Sequence, residues 1–391
     1  MRVLAVLDAF RLGGAETLIV QLARVAATAD LELEVLSLHG PSEERSKLAP
    51  MLANAGLQPQ YLGATRTADP AAFNRLLRHI RSTRPDVVHA HLEMAMTMAL
   101  PAARLAGRPA VATFHHVHRP LEGRAAASER LAVEVATRSE GAIFVSHASL
   151  ASFAERYRRG RSLPPSWSVV HNGIDLDYFS PVRGRRMVTM PADLGLTGRR
   201  VVTIVAALRD FKGIIHAVQA WPSVVSRYPD ARLLLVGTGT EEASLRREAS
   251  YRQVTDSVVF AGMRTDIPDV LRGSEIVVLP SIYGENLPTV LMEAGGCARA
   301  VVASDVGGIR DIVSHEETGL LVPPGDSPAL ASAILRLLDE PTLARQYGSC
   351  GRLRMQRLFD AHLWAANLRA VYERAIYARH PSWGPAKVAQ R

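Results

Sequence analysis

Two glutamates, Glu285 and Glu293, stand with seven residues between them in SIYGENLPTVLMEAGG (281–296), and Pro288 lies inside that interval. The preceding EIVVLPS (275–281) reads as a buried strand, residues 281–287 as a loop at its carboxyl end, and Pro288 as the first position of a helix. Glu285 then belongs to the loop and Glu293 to the helix. A carboxylate can accept two hydrogen bonds from a vicinal diol, so such a pair suits a ligand carrying two sugars. The amides around Asn286 and Leu287 would face a phosphate placed at the helix start. Sugar, diphosphate and ribose fit in that order. The plainer alternative is a solvated Glu285 and a locally paired Glu293.

A second constellation is VAALRDFKG (205–213), where a strand end leads through Arg209 and Asp210 to Lys212 and Gly213. Of 46 basic residues only Lys47, Lys212 and Lys387 are lysine. A lysine retained at a strand-to-helix loop in so arginine-rich a chain suggests a need for a compact ammonium, with phosphate as the natural partner. A third is FRLGGAETLIVQLA (10–23), in which Gly13 and Gly14 precede a helix and let backbone amides approach a bulky anion. A tight turn without a ligand explains a lone Gly-Gly as well. The third glycine of the dinucleotide fingerprint is missing, which disfavours a nicotinamide enzyme. The histidines at 89, 91, 115, 116 and 118 could suggest zinc by count. No cysteine or carboxylate stands beside them at ligand spacing, so no metal is expected.

These loops need strands to hold them. Short β-branched runs alternate with helical patterns, which is the mark of parallel sheets. In the first half the runs are 2–8, 33–38, 86–91, 110–115, 141–146 and 168–173; in the second they are 201–208, 231–237, 257–262, 275–281, 300–306 and 319–324. DYFSPVRGRRM (177–187) has the composition of an interdomain connection. Residues 341–379 read as two successive helices, one of which could pack back across the first domain. The expected division is 1–180, 181–365, and a final helix and tail at 366–391, with disorder confined to the tail after about His380.

At 391 residues the chain is long enough for two full cores, and 48% apolar with 21% charged residues is the composition of a globular protein. The net charge of +8 divides as about +3 before residue 181 and +5 after it, so neither half is a basic arm that would grip nucleic acid. RYRRGR (156–161) is either a solvated face or a weak peripheral contact with anionic lipid. No apolar run is long enough to span a bilayer: the start is interrupted by Asp8, and the stretch around 95–103 contains Pro101. Two cysteines, Cys297 and Cys350, are too few for a disulfide framework. A cytoplasmic location is expected.

The paired glutamates with proline between them, together with GGAE, ATFHH, HNGID, AALRDFKG, DVGGIRDIV and TGLLVPP in that order, resemble the retaining GT-B glycosyltransferases of family 4 over nearly the whole chain. The resemblance implies an α/β GT-B fold: two doubly wound, Rossmann-like domains facing a central cleft, acceptor side first and nucleotide-sugar side second. It implies transfer of a sugar from a nucleoside diphosphate donor, UDP more commonly than GDP, to an acceptor hydroxyl with retention and without a metal or other cofactor. The position of Glu285 would hold hydroxyls of the transferred sugar, and that of Glu293 the ribose. Arg209 and Lys212 would neutralise the diphosphate, the Gly13–Gly14 loop would close over it, and His115 would lie near acceptor and sugar. Asp175 and Asp177 look like the metal-binding pair of a different glycosyltransferase fold but belong to the HNGID connection. A glycan, lipid-linked or small-molecule acceptor stays open. Three departures stand out: Ala207 replaces the family's arginine, Ala298 and Ala300 its glycine and proline, and Arg310 and Asp311 its proline and glutamate. They motivate one alternative, a catalytically weak, transferase-like scaffold. A sugar-nucleotide epimerase on the same plan is the other.

Overall fold

A computed structural model describes residues 1–11, 13–66, 69–118, 120–181 and 190–380. Leu12 of the first glycine loop, most of the connection at 177–187 and the tail after His380 lie outside the described residues. The chain forms two compact units, Met1–Gly173 with Ala361–Arg391, and Ile174–Asp360.

The first unit carries a parallel sheet of seven strands: β1 (Arg2–Leu7), β2 (Glu32–His39), β3 (Gln60–Ala64), β4 (Val87–His91), β5 (Ala110–Phe114), β6 (Gly141–Phe144) and β7 (Trp167–Val169), in the order β3-β2-β1-β4-β5-β6-β7. Its strands are apolar on both faces because both faces are covered. Along β1, Leu4 and Val6 enter one core, while Val3, Ala5 and Leu7 enter those of the opposite face. That second face is sealed in part by the helix Gly14–Val25. The final helix, Ala361–Arg379, completes the seal by packing Trp364, Leu368, Val371 and Tyr372 with Val3, Val87, Val111 and Ile143.

The second unit repeats the plan with six parallel strands: β8 (Arg200–Val205), β9 (Ala231–Val236), β10 (Val258–Gly262), β11 (Ile276–Leu279), β12 (Ala300–Ser304) and β13 (Gly319–Val322), ordered β10-β9-β8-β11-β12-β13. Val202, Ile204, Leu233 and Leu235 face one core, and Val201, Leu234 and Val236 the other. The chain enters this unit at Ile174, whose N–H donates to the Phe359 carbonyl at 2.9 Å, one residue before Asp360 where it leaves. In both sheets the winding reverses once, between β1 and β4 and between β8 and β11. Such reversals splay apart the loops at the strands' carboxyl ends and open a place for a ligand.

The helices begin where their sequences cap them. Asp69, Ser146 and Asp326 each accept an N–H from three residues on, at 3.0, 2.9 and 2.8 Å. Pro288 departs from expectation by one residue. It precedes the helix Thr289–Gly296 as its cap, because its ψ of 115° is still extended.

Candidate active site

At the reversal of the second sheet, the loops after β8 and β11 are knitted together. The Ile282 N–H donates to the Phe211 carbonyl at 2.8 Å. Gly213 has φ +59°, and a Cβ there would run into the Pro280 carbonyl; only glycine meets both demands. This joint brings Lys212 Nζ to 2.6 Å from Glu285 Oε1. Ser281 donates its hydroxyl to the same carboxylate oxygen. Glu285 is buried and Lys212 half-buried, so the pair is a desolvated, charge-assisted contact with the ammonium still reachable. A third loop fixes the height of Glu285. Gly307, at φ +55°, lies so close to the Glu285 carbonyl that a Cβ would collide with it, and the Gly308 N–H donates to that carbonyl at 3.3 Å.

Asn286 and Leu287 are buried just ahead of the helix Thr289–Gly296, and Glu293 projects from it. Burial raises the Glu293 carboxyl to about 7, partly offset by a hydrogen bond with Thr289. Arg209 stands exposed and extended at the head of the turn Asp210–Lys212; among the described residues its guanidinium makes no ion pair.

The first unit gathers a different chemistry at its own reversal. Asp8, just past β1, accepts the Ala95 N–H at 2.7 Å in the first turn of the helix Glu93–Leu105. Burial raises its carboxyl to about 7, and the charges of Glu93 and Glu16 add to the effect. Gly13 caps the helix Gly14–Val25 in extended backbone, and Gly14 faces open space where a Cβ would point. The pair is therefore not a left-handed turn; Gly14 leaves room, while a Cβ on Gly13 would meet the Glu16 carboxylate.

His115 follows β5 directly, and its Nε2 lies 2.9 Å from His91 Nδ1 with the rings stacked. His89, with its ring 4.0 Å from that of His91, bonds Tyr372 Oη and Thr113 Oγ1, each at 2.7 Å. Burial drives all three imidazoles neutral, His89 and His115 to about 3 and His91 in the same direction. His91 Nε2 is buried without a hydrogen-bond partner among the described residues. A bare lone pair there costs less than a buried, unpaired N–H, so we assign the His91 proton to Nδ1. It donates to His115 Nε2 and leaves the His115 proton on Nδ1. His116 and His118 instead donate to the buried Glu129, at 3.2 and 2.8 Å, as does the Tyr157 hydroxyl.

Family models cover both units: Glycosyltransferase Family 4 matches residues 12–178, and Glycosyl transferases group 1 matches residues 199–340. An alpha-maltose-1-phosphate synthase of Mycolicibacterium smegmatis is 32% identical across 71% of this chain and 76% of its own length. The chain belongs to glycosyltransferase family 4. A phosphatidyl-myo-inositol mannosyltransferase of Mycobacterium leprae is 28% identical over 92% of this family 4 chain and 93% of the relative. Anabaena HepE, solved in complex with UDP, superposes with a TM-score of 0.81 at 21% identity over 95% of this chain and 99% of HepE, which establishes the GT-B fold.

Within this glycosyltransferase, the structure joins Lys212 to Glu285 and sets Asn286, Leu287 and Glu293 on the adjoining helix start, with Arg209 on the same turn as Lys212. Gly13, Gly14 and His115 belong to the first unit. Sequence reasoning placed Ser281 in its loop but missed its hydrogen bond to Glu285, and it missed Gly307 and Asp8 as members of these loops and His91 as the partner of His115. Gly307, Asp8 and His91 are tied in by residues distant in the chain, and Ser281 by one four positions on; the local signal was a polar residue closing an apolar strand run. Of the three departures, Ala207 is exposed, and Arg310 pairs with Asp305. Ala298 is the consequential one. It holds φ +55° where the helix Thr289–Gly296 ends, with the Arg299 N–H donating back to the Ala294 carbonyl at 2.9 Å. Glycine is favoured there, and alanine is strained.

Proposed function

We propose that this glycosyltransferase moves a sugar from a UDP-sugar to an acceptor hydroxyl of a glycan or glycolipid, with retention and without a metal. The observation that carries the reading is the Lys212–Glu285 pair at the reversal of the second sheet. An ammonium beside a buried carboxylate suits a donor whose diphosphate and sugar adjoin. Lys212 and Arg209 neutralise the diphosphate, with the amides ahead of the helix Thr289–Gly296 adding positive potential. Glu285 accepts hydroxyls of the transferred sugar and Glu293 the ribose diol.

In the first unit, His115 offers an N–H from a neutral ring to a sugar or acceptor oxygen, and the open side of Gly14 admits a phosphate. No nucleophile is assigned to the far face of the sugar. The anomeric C–O bond to phosphate breaks, the acceptor oxygen bonds to the same face, and the departing phosphate oxygen takes the acceptor proton. Similarity to HepE, seen with UDP and with UDP-glucose, supports UDP as the nucleotide. Similarity to the phosphatidyl-myo-inositol mannosyltransferase supports a lipid-borne acceptor. A nucleotide-sugar donor fits a cytoplasmic enzyme.

The test is a UDP-release assay across a panel of UDP- and GDP-sugars, followed by NMR of the anomeric proton of donor and product. Release from a UDP-sugar with the configuration kept is expected. Inversion, or turnover that survives Glu285→Ala in full, would overturn the assignment.

A further inference from the structure

Away from these loops the first unit carries a groove of about 610 Å³ between the helices Gly123–Thr137 and His147–Arg158. Five arginines line it: Arg130, Arg156, Arg158, Arg159 and Arg161. A neighbouring hollow of about 430 Å³ shares Arg156 and Arg159 with it. Three carboxylates stand near these arginines, and among the described residues none pairs with them; Glu155 lines the neighbouring hollow. Glu134, on the groove wall, pairs with Arg138 at 2.5 Å. Glu129 is buried and taken up by His116, His118 and Tyr157. Among the described residues, none of the five arginines forms an ion pair.

Several surface arginines elsewhere are paired. In the second unit Arg246, in the helix Glu242–Tyr251, and Arg252, just past its end, have carboxylates one turn away, Glu242 and Glu248, at 2.8 and 2.9 Å. The groove is thus an accumulation of guanidinium charge that folding leaves uncompensated. Planar, weakly hydrated guanidinium groups match phosphate oxygens two at a time.

Free phosphate would need nothing more, but this face has more. Leu121 lines the neighbouring hollow, and Leu163 stands two residues past Arg161; they are 37% and 45% exposed. Leucines set among arginines are the composition of a surface that lies on a bilayer, with guanidinium groups at the headgroups and apolar side chains at the acyl boundary. We propose that this face of the first unit docks on a membrane surface containing anionic phospholipid. The inference goes beyond the transfer reaction. It is read without donor or acceptor, so its failure and that of the transferase reading are distinguishable.

The test is co-sedimentation of the full chain with phosphatidylcholine vesicles, with and without phosphatidylglycerol. Binding is expected with phosphatidylglycerol, lost as salt is raised and absent on phosphatidylcholine alone. Each basic residue near such a surface contributes about 1 kcal/mol, so Arg130→Ala with Arg161→Ala should weaken binding on the order of 20- to 30-fold. Leu121→Ser with Leu163→Ser should weaken it severalfold, and Arg246→Ala with Arg252→Ala should leave it unchanged. Unaltered thermal unfolding of each variant shows that the fold is intact. Equal binding to neutral vesicles, or wild-type binding by the arginine variant, would overturn the proposal. So would displacement by inorganic pyrophosphate with the leucine variant unaffected, which would make the groove a site for a soluble anion.

Discussion

Both units wind their sheets in the same order and reverse them at the same place, yet they fill the reversal with opposite chemistry. The second unit sets a lysine–glutamate pair and a second acid there; the first sets a row of imidazoles that burial keeps neutral. One architecture therefore serves two tasks. Under the proposed reading, the charged groups of the second unit grip the donor, and the neutral imidazoles of the first, which shares its reversal with the Asp8 carboxyl, meet hydroxyls. Backbone topology set the location in each case, and the loop residues set the chemistry.

The widest gap between the two units should appear in turnover. Glu285→Ala or Lys212→Ala is expected to lower kcat for UDP release about 10²- to 10³-fold, the usual cost of one charged or hydrogen-bonding contact to a transition state. His115→Ala should cost about tenfold, as suits one neutral hydrogen bond. Equal losses at the two sites would erase the contrast.

Acid should separate the units next. A histidine whose pKa is depressed on folding gives stability that is full above its unfolded value near 6.5 and lost as pH falls toward about 3. Each of the buried imidazoles should thus cost roughly 1.4 kcal/mol per pH unit below 6.5. Glu293 works in reverse: raised from 4.5 to about 7, it favours the folded state at low pH, and that contribution is lost as pH rises through this window. Asp8, also raised to about 7, runs against the imidazoles within the first unit. Denaturant midpoints at pH 7 and pH 5, with His89→Gln and His91→Gln in one chain, should show the acid sensitivity reduced in the variant.

A finer probe is the proton count on nucleotide binding. A ribose diol donates to an ionised carboxylate, so UDP should expel a proton from Glu293 near pH 7 and bind more tightly as pH rises. Calorimetry in buffers of different ionisation enthalpy measures this, and Glu293→Gln should abolish it. The smallest expected effect is Ala298→Gly. Relief of the left-handed alanine, offset by the greater freedom of glycine in the unfolded chain, should stabilise the second unit by about 0.5–1 kcal/mol with turnover unchanged.

The strands that carry the loops were legible because burial on both faces writes them as unbroken apolar runs. β3 was not, since QYLGA (60–64) is an edge strand, mostly half-exposed and paired through β2 alone. Lys212 stood out because lysine is so scarce here, and Glu285 and Glu293 because a strand end, a proline and a helix pattern framed them. The hydroxyl of Ser281, the proximity of Gly307 and the His91–His115 contact had no such frame. The first depends on how one loop folds back on itself, and the other two on segments that meet through the sheet's strand order, which residue spacing does not encode. The strain at Ala298 was equally silent, because an alanine in a helical run looks harmless until its φ is known.

The final helix has a consequence for how the molecule is made. Trp364, Leu368 and Tyr372 close the second face of a sheet whose strands all lie before Gly173. During synthesis the early sheet must therefore wait, that side covered only in part by the helix Gly14–Val25, while the whole of the intervening unit is translated and free to fold. In that interval the nascent protein shows the ribosome's surroundings an apolar wall. Its best protection is either a chaperone or rapid elongation through the last few turns.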